Sequence, residues 1–120
     1  MNKPTLKGID FGAEDLNTYT PLIPDNFCVW LTLAIGPEGL EGSHLFQVGV
    51  CTTSWLAHQL SIKSAYVLRH MILVDSFDFE LIKKTVREII ETAGRPTWEQ
   101  SVPVLSRYFA WEYEDYQSES

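Results

Sequence analysis

A predicted β-hairpin constrains the fold of this chain more than any other feature of its sequence. Two apolar runs, 27–35 and 44–52, are joined by residues 36–42, a segment with three glycines and one proline. Glycine and proline supply the backbone conformations of turns, which a strand cannot hold. Folding the chain about this segment places three apolar pairs on one face of an antiparallel hairpin, because directly opposed residues project to the same side. The pairs are Val29 with Val50, Leu31 with Val48, and Leu33 with Phe46.

The reverse face of the predicted hairpin supports the same register. It sets Cys28 against Cys51 and Trp30 against Gly49. A large indole ring opposite a glycine is sterically favourable, because the glycine has no side chain to meet the ring. A slip by one residue would move every apolar side chain to the wrong face, so this register is strongly specified.

Further segments complete a predicted α+β fold. Residues 5–10 predict a short first strand, and residues 53–61 predict a short helix after the hairpin. The apolar run 66–74 lacks clean alternation, which favours a central strand that is covered on both faces. This strand is expected to join the hairpin in an antiparallel sheet.

Two longer helices are predicted after this strand, both packed on one face of the sheet. The first spans 78–93, where Asp78 can cap the start, apolar residues recur at helical spacing, and Gly94 ends the helix. The second spans 97–109, where Thr97 and the glutamine three residues later have the spacing of a capping box.

Length and composition predict a single cytoplasmic domain over residues 1–120. A chain of this length can bury one hydrophobic core. No apolar run approaches the ~18–20 residues needed to span a bilayer, and the N-terminal residues lack the apolar region of a secretory signal. Two cysteines do not make a disulfide framework or a metal site, so reduced thiols in the cytoplasm are expected.

The distribution of charge is the most informative part of the composition. The formal net charge is −7, with 16 acidic and 9 basic residues. No lysine or arginine lies between Lys7 and Lys63, whereas that interval contains six acidic residues. From Tyr108 to the last residue there are four acidic residues and no basic one. Such a surface repels nucleic acid and anionic membranes and attracts cationic partners.

No pattern in the sequence predicts a catalytic, cofactor or metal site. There is no glycine-rich phosphate loop, no His-Glu-x-x-His motif and no Cys-x-x-Cys pair. The histidines His44, His58 and His70 have no local signature that links any of them to a nucleophile. An alternative function is that of a small hydrolase that uses His70 or Cys51. Such an enzyme requires a pocket that joins a histidine to a nucleophile.

The C-terminal segment 110–116 alternates aromatic and acidic residues. If extended, it places Trp111 and Tyr113 on one side and Glu112 and Glu114 on the other. Under one interpretation the aromatic rings hold this tail against the domain, and the carboxylates are merely solvated. Under the other, the carboxylates line a surface for a basic ligand.

Five segments, spread over almost the whole chain, carry a family resemblance. They are AIGPEGLEG at 34–42, VCTTSWL at 50–56, RHMILVDSFD at 69–78, TWE at 97–99 and WEYEDY at 111–116. Together and in this order they resemble the immunity protein 8 family, whose members are small, acidic α+β proteins encoded beside polymorphic or contact-dependent toxins. The resemblance implies a cytoplasmic antidote, not an enzyme, that binds a toxin domain and blocks it.

The resemblance and the acidic charge together suggest the partner and the site. The expected partner is the C-terminal domain of a cognate toxin, a basic nuclease bound through carboxylates that imitate phosphate. Candidate toxin-binding residues are Glu112, Glu114, Asp115, Trp111, Tyr113 and Tyr116 in the tail and Glu38 and Glu41 in the hairpin turn. The protein is expected to be a monomer or a small homo-oligomer, with no cofactor. A second interpretation of the same acidic bias is a nucleic-acid mimic that inhibits a DNA-binding protein of the host.

Overall fold

The computed structural model describes residues 3–10 and 23–113, and within them a sheet of five strands is combined with three helices. The elements follow one another along the chain in the order β1 (Pro4–Asp10), β2 (Cys28–Pro37), β3 (His44–Thr52), α1 (Thr53–Lys63), β4 (Met71–Val74), α2 (Phe79–Ala93), α3 (Trp98–Leu105) and β5 (Ala110–Trp111). The order of strands across the sheet is β1-β2-β3-β4, and β5 also pairs with β3. The predicted α+β class is confirmed.

The central hairpin has the predicted register. β2 and β3 are antiparallel, and each predicted pair is found, including Val29 with Val50 and Cys28 with Cys51. One face of the hairpin is fully within the core, because its six apolar side chains are all buried. β1 adds to the other edge of β2 in antiparallel orientation, with a bulge between Leu6 and Gly8. Alternation of apolar residues therefore specified both the pairing and the buried face.

The turn between β2 and β3 depends on glycine and on a lysine from β1. Gly39 and Gly42 have φ angles of 83° and 98°, in the left-handed region that side chains disfavour. The ammonium of Lys7 donates to the carbonyl oxygens of Leu40 and Gly42. The first strand thus holds the turn in place from the side.

Replacing Gly36 with alanine is expected to lower the free energy of unfolding by about 1–3 kcal/mol, as steric overpacking does. A Cβ atom at Gly36 would lie 2.3 Å from the carbonyl oxygen of Gly42, so the backbone of the turn itself would have to shift. Gly8→Ala is the matched control, because a Cβ atom there would lie 3.6 Å from the Cβ of Ala34. Urea denaturation measures both, and equal stability of the two variants would contradict the close approach at Gly36.

The strand predicted over 66–74 is wrong in length, direction and position. Only Met71–Val74 is a strand, and it runs parallel to β3 instead of antiparallel. It lies at the end of the strand order, and Leu73 is exposed, so it is not a central strand covered on both faces. Residues 64–70 connect α1 back to the sheet, and a left-handed turn at His70, with φ of 60°, directs the chain into β4. A parallel neighbour requires such a crossover connection.

Helices α2 and α3 cover the core face as predicted. Asp78 caps α2, its Oδ1 accepting from the backbone N–H of Leu81 at 3.1 Å, and Thr97 caps α3 in the same way. Both helices contribute side chains to the same core as the hairpin: Ile82, Val86, Ile90 and Ala93 from α2, and Val104 and Leu105 from α3.

The predicted extent of the last helix is wrong, since α3 ends at Leu105 and not at residue 109. Residues 106–109 form a turn in which the N–H of Phe109 donates to the carbonyl of Leu105 at 2.9 Å. This turn buries the Phe109 ring against Phe46 and brings Ala110–Trp111 alongside β3 as β5. The predicted last turn of helix is therefore replaced by burial of the Phe109 ring and by the pairing of β5 with β3.

Helix α1 is different in kind from the other two helices. It contains no buried residue, and its apolar side chains are spread around the helix instead of along one stripe. Thr52 caps its start, and Ser64 ends it with a left-handed φ of 67°. Its function in the fold is to connect β3 to the parallel strand β4.

Candidate functional site

The start of the predicted C-terminal tail is held against the sheet by aromatic contacts. Trp111 is half-buried, and its ring stacks on His44 with the centroids 5.9 Å apart. The indole N–H of Trp111 donates to Nδ1 of His44 at 3.3 Å. Trp98 and Tyr113 meet the same imidazole edge-on at 5.5 and 5.6 Å. The clamping interpretation of the aromatic residues therefore holds for Trp111, whereas Tyr113 remains exposed.

Glu112 extends the pairing of β5 with β3. Its backbone N–H donates to the carbonyl of Leu45 at 2.9 Å, and its Oε2 accepts from the N–H of Leu45 at 2.5 Å. The side chain of Glu112 is exposed, so its charge faces solvent while one oxygen is engaged. The remaining tail candidates, Glu114, Asp115 and Tyr116, lie outside the described residues.

The turn candidates Glu38 and Glu41 are exposed. The backbone N–H of Glu38 donates to the carbonyl of Lys3 at 2.8 Å. Glu38 also lines a groove of about 540 Å³ between the start of β1, the hairpin turn and α2, together with Lys3, Arg87 and Glu91. Basic groups therefore lie close to the turn, and they offset part of its negative charge.

The structure brings the two candidate surfaces to the same end of the sheet. The turn leads directly into the start of β3, and Glu112 is bonded to Leu45 near that start. Glu41 and Glu112 therefore belong to one region of the molecule, although 70 residues separate them in the sequence. The sequence alone gave no signal of this proximity, because it depends on the pairing of β5 with β3.

The face of the sheet opposite the core carries three large apolar side chains that sequence reasoning did not select as functional. Trp30, Leu45 and Leu73 are each about half exposed on this face, which we call the open face. The ring of Trp30 lies over Gly49, and a Cβ atom at Gly49 would be 2.9 Å from it. The available signal was the hairpin register itself, which sets Trp30 and Leu45 on the face opposite the core.

A second exposed apolar region follows the hairpin. Leu60 and Ile62 on α1 and Val67 and Leu68 after it are exposed, Val67 by 83%. The rings of Trp55 and Tyr66 meet edge-on at 5.4 Å, which ties the helix to the connection that follows it. No residue from 53 to 70 is buried.

The two thiols and His70, which the alternative hydrolase would use, lie in surroundings that do not favour nucleophilic catalysis. Burial, with a smaller contribution from the neighbouring Cys51, raises the pKa of the Cys28 thiol to about 11. Burial likewise raises the pKa of Cys51. Since the thiolate is the nucleophile, a thiol that stays protonated at neutral pH is a poor one. Nε2 of His70 lies 3.2 Å from the carbonyl oxygen of Ser106, a structural contact between two loops.

Within residues 3–10 and 23–113, no three His, Cys, Asp or Glu side chains are grouped so that they could hold a metal ion. None of the helices in those ranges is both long enough and apolar enough to cross a membrane.

Comparison with protein families gives a match over almost the whole chain. The model of the family described as Immunity protein 8 matches residues 4–116. The chain belongs to the immunity protein 8 family. The resemblance carried by the five sequence segments is thereby confirmed. Comparison with curated proteins gave no match, and comparison with solved structures gave none either.

Membership of the immunity protein 8 family defines the biological setting. The protein is an immunity protein of a polymorphic toxin system, and its partner is a cognate toxin. The match extends from β1 to the acidic tail, so it includes both candidate surfaces.

Proposed function

We propose that this immunity protein binds the C-terminal domain of its cognate toxin and neutralises it as a stoichiometric inhibitor in the cytoplasm. The family match over residues 4–116 is the observation that carries this proposal. An antidote of this kind acts by binding, so it needs a complementary surface and no catalytic group.

We further propose that the toxin domain is a basic nuclease. The formal net charge of −7 favours a cationic partner, because complementary charge speeds encounter and excludes wrong partners. A nuclease cleft attracts phosphate, and fixed carboxylates imitate phosphate. The turn and the tail bring such groups to one end of the sheet, where Glu41 and Glu112 are both exposed.

The proposed toxin-binding residues are the carboxylates Glu38, Glu41, Glu112, Glu114 and Asp115 and the aromatic residues Trp111, Tyr113 and Tyr116. Trp111 acts by holding the start of the tail, since its ring is already committed to His44 and Phe46. Tyr113 is exposed and has an edge-on contact with Trp111 at 5.2 Å. A tyrosine in that position presents a partly ordered ring to a partner, which is the kind of residue that dominates interface energies.

Co-expression tests the proposal. The protein is produced together with the toxin domain encoded in the adjacent upstream gene, and both growth and co-purification are scored. The proposed function predicts that growth is restored and that the two chains purify as a complex. Continued toxicity at matched expression of the folded protein would overturn it.

Removing charge from the tail is expected to weaken toxin binding by roughly tenfold or more at low salt, and to make the remaining affinity less sensitive to salt. The variant is Glu112→Gln, Glu114→Gln and Asp115→Asn. Glutamine is preferred at position 112 because its amide oxygen can still accept from the N–H of Leu45. Calorimetric titration from low to high salt measures both quantities.

The matched control for the tail variant removes the same charge from the helical layer. Glu80, Glu88 and Glu99 are exposed on α2 and α3, and they are changed to glutamine together. If both triple variants lose the same affinity, net charge alone attracts the toxin and the tail has no special part.

A further inference from the structure

The open face is built so that apolar side chains are displayed in a fixed arrangement. Strand pairing sets Leu73 beside Cys51, and it sets Trp30 beside Gly49 on the same side of the sheet. Leu45 lies nearer the turn on the same face, two residues before Gln47. The exposed fractions are 44% for Trp30, 46% for Leu45 and 54% for Leu73. The core does not need these side chains in this position, since its own face of the sheet is already filled.

Trp30 has the surroundings of a preorganised interface residue. Its ring lies directly on Gly49, whose missing side chain provides the space. A tryptophan held in this way loses little freedom when a partner covers it, and this reduces the entropic cost of binding. Tryptophan is also among the residues most enriched at the energetic centres of interfaces.

The charges on the open face select a cationic occupant over a second copy of the chain. Asp10 pairs with Thr32 and projects to this face, and Glu112 is attached at the opposite edge beside Leu45. Lys7 is the basic residue of β1. Its ammonium donates to carbonyl oxygens of the hairpin turn and does not pair with Asp10 or Glu112. Two copies placed face to face would oppose these carboxylates and add two net charges of −7. Such like-charge opposition is unfavourable, whereas a partner with basic groups around an apolar patch is complementary.

We propose that the open face is the docking surface for the toxin domain, with Trp30, Leu45 and Leu73 as its apolar centre and Asp10 and Glu112 at its edges. The inference rests on the proposed function and specifies the surface through which it acts. The fitting surface on the toxin is a patch of apolar side chains surrounded by lysine and arginine. An apolar centre that excludes water slows release, and charged edges speed encounter.

Arginine substitutions on the open face test this proposal. Leu45→Arg and Leu73→Arg are each expected to weaken binding of a catalytically inactive toxin domain by roughly 30-fold or more. Leu81→Arg is the matched control, because Leu81 is 41% exposed at the start of α2, in the layer on the other side of the sheet. The affinity of Leu81→Arg for the toxin domain is expected to stay within roughly threefold of the wild-type affinity. Circular dichroism and melting temperature establish that all three variants are folded.

The outcomes separate failure of this inference from failure of the proposed function. If wild type and Leu81→Arg bind the toxin domain and both open-face variants bind equally well, the docking surface is elsewhere. If wild type itself neither binds nor protects, the proposed function fails.

Leu73→Glu distinguishes an apolar contact at the open face from an attraction between charges. Leu73→Glu is expected to weaken binding as Leu73→Arg does, because the contact is apolar. Tighter binding by the glutamate variant would show that charge alone attracts the toxin.

Sedimentation of the protein alone tests whether a second copy covers the open face. A wild-type dimer that Leu73→Arg converts to a monomer, with toxin binding intact, would overturn the assignment of this face to the toxin.

Discussion

Phe46→Ala is expected to lower the free energy of unfolding by about 3–5 kcal/mol, the range found when a buried aromatic ring is deleted from a core. Phe46 is fully buried near the start of β3. Its ring meets Phe109 edge-on and stacks on Trp111, with centroids 6.4 and 6.5 Å apart. Deletion therefore removes the contact that fixes both the turn after α3 and the short strand β5.

The neighbouring residue Leu45 provides the control, because it lies on the opposite face of the same strand and is 46% exposed. Leu45→Ala is expected to change stability by about 1 kcal/mol or less, since little apolar area is lost from the interior. Chemical denaturation measures both variants. A larger loss for Leu45→Ala than for Phe46→Ala would mean that the hairpin register is shifted by one residue.

Thr52→Val is expected to lower the free energy of unfolding by about 2–4 kcal/mol, the sum of a lost helix cap and a buried, unsatisfied N–H. Thr52 is fully buried where β3 passes into α1. Its Oγ1 accepts from the backbone N–H of Phe27 at 3.1 Å and from that of Trp55 at 3.4 Å. Valine keeps the shape of the side chain but offers no acceptor to either group.

Thr52→Ser distinguishes the hydroxyl from the volume of the side chain. Serine keeps both acceptor contacts and deletes one methyl group, so a loss of about 1 kcal/mol is expected. Thermal unfolding of the two variants under identical conditions gives the comparison. A valine variant as stable as the serine variant would show that the hydroxyl contributes little.

The parts of the fold that the sequence predicted are those specified by local pattern. Alternating apolar residues identified the hairpin, and a slip would have exposed its entire core face. Helix α2 was equally clear, because its cap at Asp78, its apolar stripe and Gly94 are consecutive signals in one segment. In both cases the residues that form the element also identify its limits.

The parts that the sequence did not predict depend on contacts between distant segments. The apolar, branched side chains of Val67 and Leu68 predicted a strand. Both residues are exposed in the connection that precedes β4. The direction of β4 is set by the crossover through α1, which has no apolar stripe to indicate where it packs. The end of α3 is set by burial of Phe109 against Phe46, two residues that lie 63 positions apart in the sequence.

In the candidate site, too, local pattern predicted some features and contacts between distant segments determined the others. The family was evident from the order of five segments, and the aromatic residues of the tail were evident as a cluster. The engagement of the Glu112 carboxylate by Leu45 and the exposure of Leu73 follow from strand pairing, which no local motif encodes. The sequence identified which residues carry charge, and the fold determines which of them face the same way.

Titration of the active toxin domain with this immunity protein tests stoichiometric inhibition directly. The toxin domain is held well above its dissociation constant, and its activity is measured after each addition; for the proposed nuclease this is cleavage of nucleic acid. Stoichiometric inhibition predicts that activity falls in proportion to added protein and ends at equimolar amounts. Complete inactivation by a small fraction of an equivalent, as an enzyme would produce, or full toxin activity in a large excess of the immunity protein would contradict stoichiometric inhibition.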